Sequence, residues 1–377
     1  KCAKEAGHDL YYFTLPVNGL SDATRKLLDI GEAVTEKWNT EIIWGSTWNV
    51  NGLQKVAVAK TTKGSHYDAI SVMAPTLTVA EQFYSSNGVP ISEDKGDFWS
   101  KNYLNRYEFT IIPDEGNNKH YLKIGEETAY LHLNREPRFY ANLSFDRGTW
   151  YGYGYASDEP KDLAFYKFRA KEVSGRITSE DYSYTGYLNK KVCSYKTSVT
   201  DNGLSTERYA FPIIRLADLY LMYAEALNNI SEGTHYQVAS WDGSQTYDIF
   251  RDKEQMRRGV KPVRMRAGVP DYSDEVYENP KKFFEKIVHE RQIEFFAETQ
   301  RYYDLRRWKI VEEHEGEQIY GCNTLMNEEY KDMFYLPVRV AELQTSFSRK
   351  QYFWPISFDE LKRNNNLSQA PGWQNYD

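Results

Sequence analysis

The sequence predicts a mainly α-helical protein that carries a large loop-rich, aromatic-rich region. Two long segments, residues 214–229 and 280–308, have the apolar periodicity of helices. Residues 89–211 instead mix glycine, asparagine, aspartate and serine with short apolar runs, a pattern typical of long structured loops. The chain also has 31 Tyr, 18 Phe and 9 Trp among 377 residues, which indicates a surface made for recognition.

The first 88 residues are interpreted as the end of a helical N-terminal region. A helix is predicted from Asp22 to Trp38, because Ser21 can cap it and apolar residues form one stripe along it. A second helix is predicted after Thr76, which can cap its start, with Gly88 beyond its end.

The rest of the chain divides into a variable loop-rich ligand-binding region, residues 89–211, and a C-terminal helical region, residues 212–377. The helix at 214–229 is apolar nearly all round, so we expect it to be buried between other helices. Residues 280–308 are predicted to form the longest helix, with Asn279 as its cap and Pro280 at its first position.

Composition excludes several classes of function. The net charge of −7 argues against nucleic acid as a partner. Cys2, Cys193 and Cys322 have neither metal-site nor redox spacing, and the seven histidines never fall at metal-ligand spacing. No apolar run has the length of a membrane span. We therefore predict no cofactor and no metal.

Two carboxylates one helical turn apart, Glu290 and Glu294, have the spacing of an acid and base for sugar hydrolysis. Arginines crowd the same helix, however, and a paired arginine lowers a carboxyl pKa, the opposite of what a general acid requires. We therefore predict that Glu290, Glu294 and Asp304 form structural ion pairs, that the chain has no catalytic residue and that it is not an enzyme. The arginines in question are Arg291, Arg301, Arg306 and Arg307.

The segment "FYANLSFDRGTWYGYGYASDEP", residues 139–160, places large rings on a glycine-rich stretch. Trp150, Tyr151, Tyr153 and Tyr155 are the first candidates for a platform on which a flat ligand stacks. Tyr151, Tyr153 and Tyr155 would share one face of an extended segment. Alternatively, some of these rings fill the space between loop and scaffold.

Other candidates surround this run or lie in other loops. Asn142, Asp146 and Arg147 could bond sugar hydroxyls. Four loop tryptophans are either ligand contacts or anchors for their loops: Trp44, Trp48, Trp99 and Trp241. Trp308, Trp354 and Trp373 lie in helical or tail motifs and are interpreted as structural.

Several motifs occur in an order that resembles one known family. They are "IRLADLYLMYAEALN", "VRMRAGVP", "IVHERQIEFFAETQRYYDLRRWK", "YFWPIS" and "NNNLSQAPGW". Together they resemble the SusD/RagB family, the outer-membrane nutrient-binding lipoproteins of Bacteroidetes. "NTEIIWGS" and "REPRFYANLSFDRG" are also similar to family segments, with Glu136 in place of the usual aspartate. The resemblance extends from about Trp38 to the C-terminus.

The resemblance implies tetratricopeptide-like helical hairpins beside a variable loop-rich half. It implies a lipid-anchored protein on the outer face of the outer membrane, seated on a SusC-like TonB-dependent transporter. Family members normally carry a signal peptide, a lipidated cysteine and a long helical N-terminal portion. None is recognised here, so we expect the chain to be the C-terminal part of a longer protein, with the lipid anchor on the N-terminal part.

Three classes of function follow. The first is a surface glycan-binding protein that delivers oligosaccharide to the transporter, and the second is a RagB-like, peptide-binding relative of the same transport system. The third, a glycan-degrading enzyme, needs two carboxylates free of arginine, and no such pair is evident. We expect an extended, neutral or weakly charged oligosaccharide.

Overall fold

The computed structural model describes residues 2–15, 17, 19–48, 50–152, 157–341 and 343–374. In these ranges no helix combines the length and the apolar character needed to cross a membrane. The α-helices, in chain order, are α1 (Cys2–Glu5), α2 (Asp22–Thr35), α3 (Asn51–Ala57), α4 (Leu77–Gln82), α5 (Asp97–Asn102), α6 (Asn118–Tyr121), α7 (Pro137–Asn142), α8 (Leu216–Asn228), α9 (Lys253–Arg266), α10 (Asp274–Glu278), α11 (Pro280–Glu294), α12 (Gln300–Arg307), α13 (Val311–His314) and α14 (Phe358–Arg363). Short 3-10 helices lie at Tyr130–His132, Glu328–Met333 and Arg349–Tyr352.

The strands form two-stranded antiparallel ribbons, seven of them within the described ranges. The strands are β1 (Ile42–Ser46), β2 (Phe109–Ile111), β3 (Glu127–Ala129), β4 (Leu143–Phe145), β5 (Thr149–Trp150), β6 (Ala164–Phe165), β7 (Tyr187–Asn189), β8 (Ser198–Thr200), β9 (Gly203–Ser205), β10 (Phe211–Arg215), β11 (Tyr236–Ala239), β12 (Thr246–Ile249), β13 (Tyr320–Gly321) and β14 (Val338–Arg339). The pairs are β1–β10, β2–β3, β4–β7, β5–β6, β8–β9, β11–β12 and β13–β14. The structure is therefore a set of helices with small ribbons between them.

The two predicted N-terminal helices are present, but both end earlier than predicted. Ser21 caps α2, its hydroxyl accepting a hydrogen bond from the backbone N–H of Thr24 at 3.1 Å. The helix ends at Thr35, and Trp38 takes a left-handed φ of 51°, which a helix cannot contain. The Thr76 hydroxyl caps α4 in the same way, but α4 ends at Gln82, well before Gly88.

The prediction of one continuous helix over residues 280–308 is wrong. The segment forms α11 and α12, separated by a short irregular connection. Ala297 and Thr299 in that connection have φ values of 60° and 77°, and left-handed residues break a right-handed helix. At 15 residues, α11 is still the longest helix in the described part of the chain, and Asn279 and Pro280 begin it as predicted.

The apolar helix predicted at 214–229 is α8, and it is less enclosed than expected. It begins at Leu216, because the preceding residues form β10. α9 and α11 pack against it, and Leu221 and Ala224 are fully buried in that contact. Leu219 and Tyr223, however, are exposed. One face of α8 is therefore open, contrary to the expectation of burial all round.

Two large apolar cores and two smaller clusters hold the described part of the chain together. The larger one joins residues that are far apart in the chain, such as Leu27, Phe139, Val199 and Tyr335. The second lies among α8, α9, α10 and α11. Residues from all three predicted segments contribute to the larger core, so the loop-rich stretch is tied to the helices by buried apolar surface.

A buried arginine–glutamate cluster accompanies these cores. Its members are Glu41, Glu136, Arg138, Arg215, Arg264, Arg266, Glu290, Glu294 and Glu298. Arg138 Nη1 lies 2.6 Å from Glu290 Oε1, and Arg215 Nη1 lies 2.9 Å from Glu294 Oε1. Asp304 pairs separately with Arg291, at 2.8 Å, and with Arg307.

The prediction that Glu290, Glu294 and Asp304 pair with arginines is confirmed. Only the partners of Asp304 belong to the helix that was predicted to supply them. Burial alone would raise the pKa of Glu294, but Arg266, Arg215 and Arg138 hold that pKa well below its ordinary value. These carboxylates are therefore ionised components of the fold.

Candidate functional site

Three exposed tryptophans follow one another along a short stretch of chain between α2 and α3. Trp38 lies beyond the end of α2, Trp44 lies on β1, and Trp48 precedes α3. Their exposed fractions are 55%, 60% and 85%. A soluble protein normally buries at least part of such a ring, so three exposed rings within eleven residues mark this stretch as a recognition surface. We call it the tryptophan ridge.

The β1–β10 ribbon carries Trp44, and a buried ion pair lies where this ribbon meets the helices. β1 pairs with β10, and Trp44 lies opposite Ile214, with irregular register on both sides of Trp44. At the base, Glu41 accepts a hydrogen bond from the Arg215 guanidinium at 2.6 Å, and both side chains are buried. Irregular register re-aims side chains, while the buried pair fixes where the ribbon leaves the scaffold.

Gly45 explains how Trp38 reaches the ribbon. A Cβ atom on Gly45 would lie 3.4 Å from Cζ3 of Trp38 and 3.1 Å from the Cβ of Ala210. The indole of Trp38 therefore lies against the backbone of β1. A side chain at position 45 would press first on the Cβ of Ala210, the closer of the two contacts.

A polar groove of about 470 Å³ lies next to the ridge along the chain, between the end of α2 and the start of α3, although none of the three indoles lines it. Lys37, the neighbour of Trp38, and Asn51, the first residue of α3, line it. The other lining residues carry hydroxyl or charged side chains: Thr35, Glu36, Ser194, Lys196, Thr206, Glu207 and Arg208. Flat rings beside hydroxyl, amide and charged groups are suited to bind a ligand with apolar faces and polar edges.

The first two rings of the predicted platform, Trp150 and Tyr151, are buried. Trp150 is only 5% exposed, lies on β5 opposite Ala164, and has the ammonium of Lys190 5.3 Å from its ring centre. Tyr151 is also buried and stacks on Tyr195. The expectation of exposed rings at these two positions is wrong, because the glycine-rich turn brings them onto α2 and not into solvent.

Tyr153 and Tyr155, the other two rings of that platform, lie outside the described residues. The structure therefore tests only Trp150 and Tyr151 of the four predicted platform residues. Their role in ligand binding stays a prediction.

The polar candidates beside the platform are buried too. Asn142 is fully buried in α7. Asp146 accepts hydrogen bonds from the backbone N–H of Phe168 at 2.9 Å and from the Tyr335 hydroxyl at 2.7 Å. Arg147 pairs with Asp146 and with carboxylates of neighbouring loops. Asp146 and Arg147 thus hold the loop-rich region together, and all three side chains are buried away from an outside ligand.

The last two candidate tryptophans differ from each other. Trp99 lies in α5 and not in a loop; it is 1% exposed, and its indole N–H donates to the backbone oxygen of Asn134, so it anchors this short helix. Trp241 is exposed at the tip of the β11–β12 hairpin. That hairpin borders a different groove, along α8, so Trp241 is not part of the tryptophan ridge.

Sequence reasoning missed two exposed tryptophans, Trp38 and Trp354. Trp38 was assigned to the end of α2, and the polar "EKWNTE" stretch around it is the signal that the helix had already ended. Trp354 was interpreted as structural but is exposed. No periodicity marks Trp354, because it lies in an irregular tail.

The sequence of the chain is similar to known proteins of one family. The sequence model of the SusD family matches residues 40–373. The chain is 26% identical over 248 residues to the SusD-like protein P2 of Formosa agariphila, a match that covers 59% of this chain and 41% of that protein.

Two solved structures show the shared fold. The selenomethionine form of BT4246 superposes with a TM-score of 0.71 at 24% identity, over 99% of this chain and 59% of that one. A SusD-like protein (BF3747) from Bacteroides fragilis gives a TM-score of 0.64 at 21% identity, over 98% and 60%. The chain thus spans less than two thirds of the length of each of these relatives.

Proposed function

The chain belongs to the SusD family, and we propose on this premise that it is a glycan-binding protein of a nutrient-uptake system at the cell surface. In this proposal it captures an oligosaccharide and delivers it to a SusC-like TonB-dependent transporter in the outer membrane. The protein binds its ligand and does not cleave it.

One observation carries the proposal: the exposed tryptophan ridge beside a polar groove. The C–H faces of a sugar ring stack on an indole, and its hydroxyls need donors and acceptors at the edge. Trp44 and Trp48 supply exposed rings, and the groove next to Trp38 supplies amide, hydroxyl and charged groups.

The pKa values of two buried carboxylates, Glu290 and Glu294, also support a binding role. Hydrolysis of a glycosidic bond requires one carboxyl group with a raised pKa. Glu290 and Glu294 are buried, but their arginine partners keep both pKa values below the ordinary range. These residues support a scaffold, which favours a binding role for the protein.

Three further parts of the proposal rest on family membership. The α8–α9 pair and the α10–α11 pair are proposed to be tetratricopeptide-like hairpins. The protein is proposed to face outwards from the outer membrane through a lipid anchor. Its partner is proposed to be the transporter on which it sits.

The experiment is a calorimetric titration of the purified protein against pools of oligosaccharides and of peptides. We expect binding to an oligosaccharide pool. Trp44→Ala and Trp48→Ala should each weaken it at least fivefold, since stacking on one exposed ring is worth about 1 kcal/mol. Trp354→Ala is the matched control, because it removes an equally exposed indole from the tail.

Two results would overturn the proposal. Binding only to peptides would place the protein in the alternative, RagB-like class. Equal losses from Trp48→Ala and Trp354→Ala would show that the ridge has no special part in binding. Trp241→Ala belongs in the same series, because a loss there would add the β11–β12 hairpin to the site.

A further inference from the structure

The polar groove beside the ridge is basic, although the protein as a whole is acidic. The chain carries a net charge of −7. The groove is nevertheless lined by three basic residues, Lys37, Lys196 and Arg208, and by two acidic ones, Glu36 and Glu207. A local excess of positive charge on an acidic protein selects for ligands with the opposite charge.

Two of the basic side chains are available to a ligand. Lys196 is engaged, because its ammonium lies 3.3 Å from Glu36. Lys37 and Arg208 are exposed, and neither has an ion-pair partner among the described residues. Glu207 offsets one of these two charges, so one full positive charge remains in the groove.

The backbone on both sides of the groove is fixed, which places these cations. The carbonyl of Glu207 accepts a hydrogen bond from Gln54 at 2.6 Å, and Tyr209 is buried with its hydroxyl bonded to the Val192 carbonyl at 2.7 Å. Arg208 lies between these two anchored residues. On the other side of the groove, hydrogen bonds fix the residue before Lys37: the N–H of Glu36 donates to the Glu32 carbonyl at 2.8 Å, and the side-chain amide of Asn39 donates to the Glu36 carbonyl at 3.1 Å.

We propose that this groove binds an acidic substituent of the glycan, a carboxylate or a sulfate ester, while the neighbouring indoles stack on its sugar rings. This inference rests on the proposed function and deepens it by naming the ligand class. Arg208 offers the planar fork that matches two oxygens of such a group, and Lys37 adds a second charge. The ligand is therefore an acidic glycan, a narrower class than the neutral or weakly charged oligosaccharide expected from the sequence.

The test compares three trisaccharide probes of equal length: neutral cellotriose, trigalacturonate, which carries carboxylates, and a sulfated carrageenan fragment. The double variant Lys37→Gln, Arg208→Gln removes both available charges. Lys261→Gln is the matched control, since it removes an exposed lysine from α9, which does not line the groove. Melting curves confirm that all variants are folded.

We expect an acidic probe to bind about tenfold more tightly than the neutral one. The double variant should abolish this preference, while Lys261→Gln retains it. Raising the salt concentration from about 0.05 to about 0.5 M should weaken the acidic probe and leave the neutral probe unchanged, because salt screens exposed charges. The better of the two acidic probes identifies the substituent as carboxylate or sulfate.

The inference is overturned if cellotriose binds as tightly as both acidic probes, or if the double variant weakens all probes alike. In either case, binding that still depends on Trp48 leaves the proposed function standing. A chain that binds no oligosaccharide of any charge removes both proposals together.

Discussion

Glu41 and Arg215 form a buried ion pair at the root of the ribbon that carries Trp44. Arg215 Nη1 donates to Glu41 Oε1 at 2.6 Å, and neither side chain is more than 1% exposed. Glu41 directly precedes β1 and Arg215 ends β10, so the pair closes the ribbon where it meets the helices. Arg266 donates to the second oxygen of the same carboxylate, at 2.8 Å.

Removing this carboxylate is expected to destabilise the fold. Glu41→Ala leaves Arg215 and Arg266 with fewer partners in a buried site and should cost about 3 kcal/mol, the lower end for a broken buried pair, since both retain Glu294. Urea denaturation measures the loss. Glu254→Ala, which breaks an exposed pair with Arg257, should cost less than about 1 kcal/mol. Equal losses in the two variants would contradict the structural role of Glu41.

Glu294 is expected to matter for stability and not for binding. Its carboxylate contacts Arg138 at 3.1 Å, Arg215 at 2.9 Å and Arg266. Glu294→Ala should therefore lower the free energy of unfolding by about 3–5 kcal/mol, because three buried guanidinium groups each lose an ion-pair partner. Binding titrations at a temperature where the variant stays folded should match the wild type. A variant that melts normally and no longer binds ligand would place Glu294 in the site.

Trp150 and Trp48 should respond in opposite ways to the same substitution. Trp150→Ala opens a cavity beneath β5 and should cost about 3–5 kcal/mol. Trp48→Ala removes an exposed ring and should change stability by less than about 0.5 kcal/mol. Thermal denaturation of the two variants side by side provides the comparison. A small effect at Trp150 would restore the glycine-rich run as a candidate surface.

The buried carboxyl group of Glu32 is expected to make the stability of the fold depend on pH. Burial raises its pKa to about 7. The unfolded chain releases this proton near pH 4.5, so between about pH 4.5 and 7 the folded state holds a proton that the unfolded state has lost, and stability falls as pH rises. Above about pH 7 the full free-energy cost of burying the ionised Glu32 carboxylate is present.

Glu32→Gln should remove that cost. The variant should match the wild type at about pH 4.5 and exceed it at about pH 8 by up to about 3 kcal/mol. Urea denaturation at both pH values gives the difference. Lys190, whose pKa burial lowers to about 7, lines the same small cavity. Because Lys190 is present in both proteins, its contribution largely cancels. A constant difference at the two pH values would mean that Glu32 is ionised throughout.

Local signals in the sequence predicted correctly where three helices begin. Ser21, Thr76 and Asn279 cap helices as their positions indicated, because capping depends on one side chain and the next few backbone groups. The break at Ala297 and Thr299 was not predictable, since neither residue type usually takes a positive φ. Tertiary contacts impose that conformation, and a single sequence does not display them.

The candidate site was predicted only in part. Trp44 and Trp48 were expected in loop-like segments; the structure places Trp44 on β1 and Trp48 before α3, and it exposes both. Trp150 and Trp99 carry the same local signal, a large ring among glycines and polar residues, yet they are buried. What separates the two pairs is whether another part of the chain covers the ring. Coverage is a long-range property, so alternation and glycine content do not report it.

The pairing of Glu41 with Arg266 spans 225 residues and so bears on the order in which the chain becomes native. At a synthesis rate of about 5–20 residues per second, Glu41 exists for roughly 10–45 s before its partner has been made. Arg215, the other partner of Glu41, lies 174 residues after it, so until Arg215 and Arg266 have both been made this carboxylate can be buried only with incomplete compensation of its charge. The recognition surface lies early in the polypeptide, but it reaches its native form late, after Arg266 has been made and has paired with Glu41.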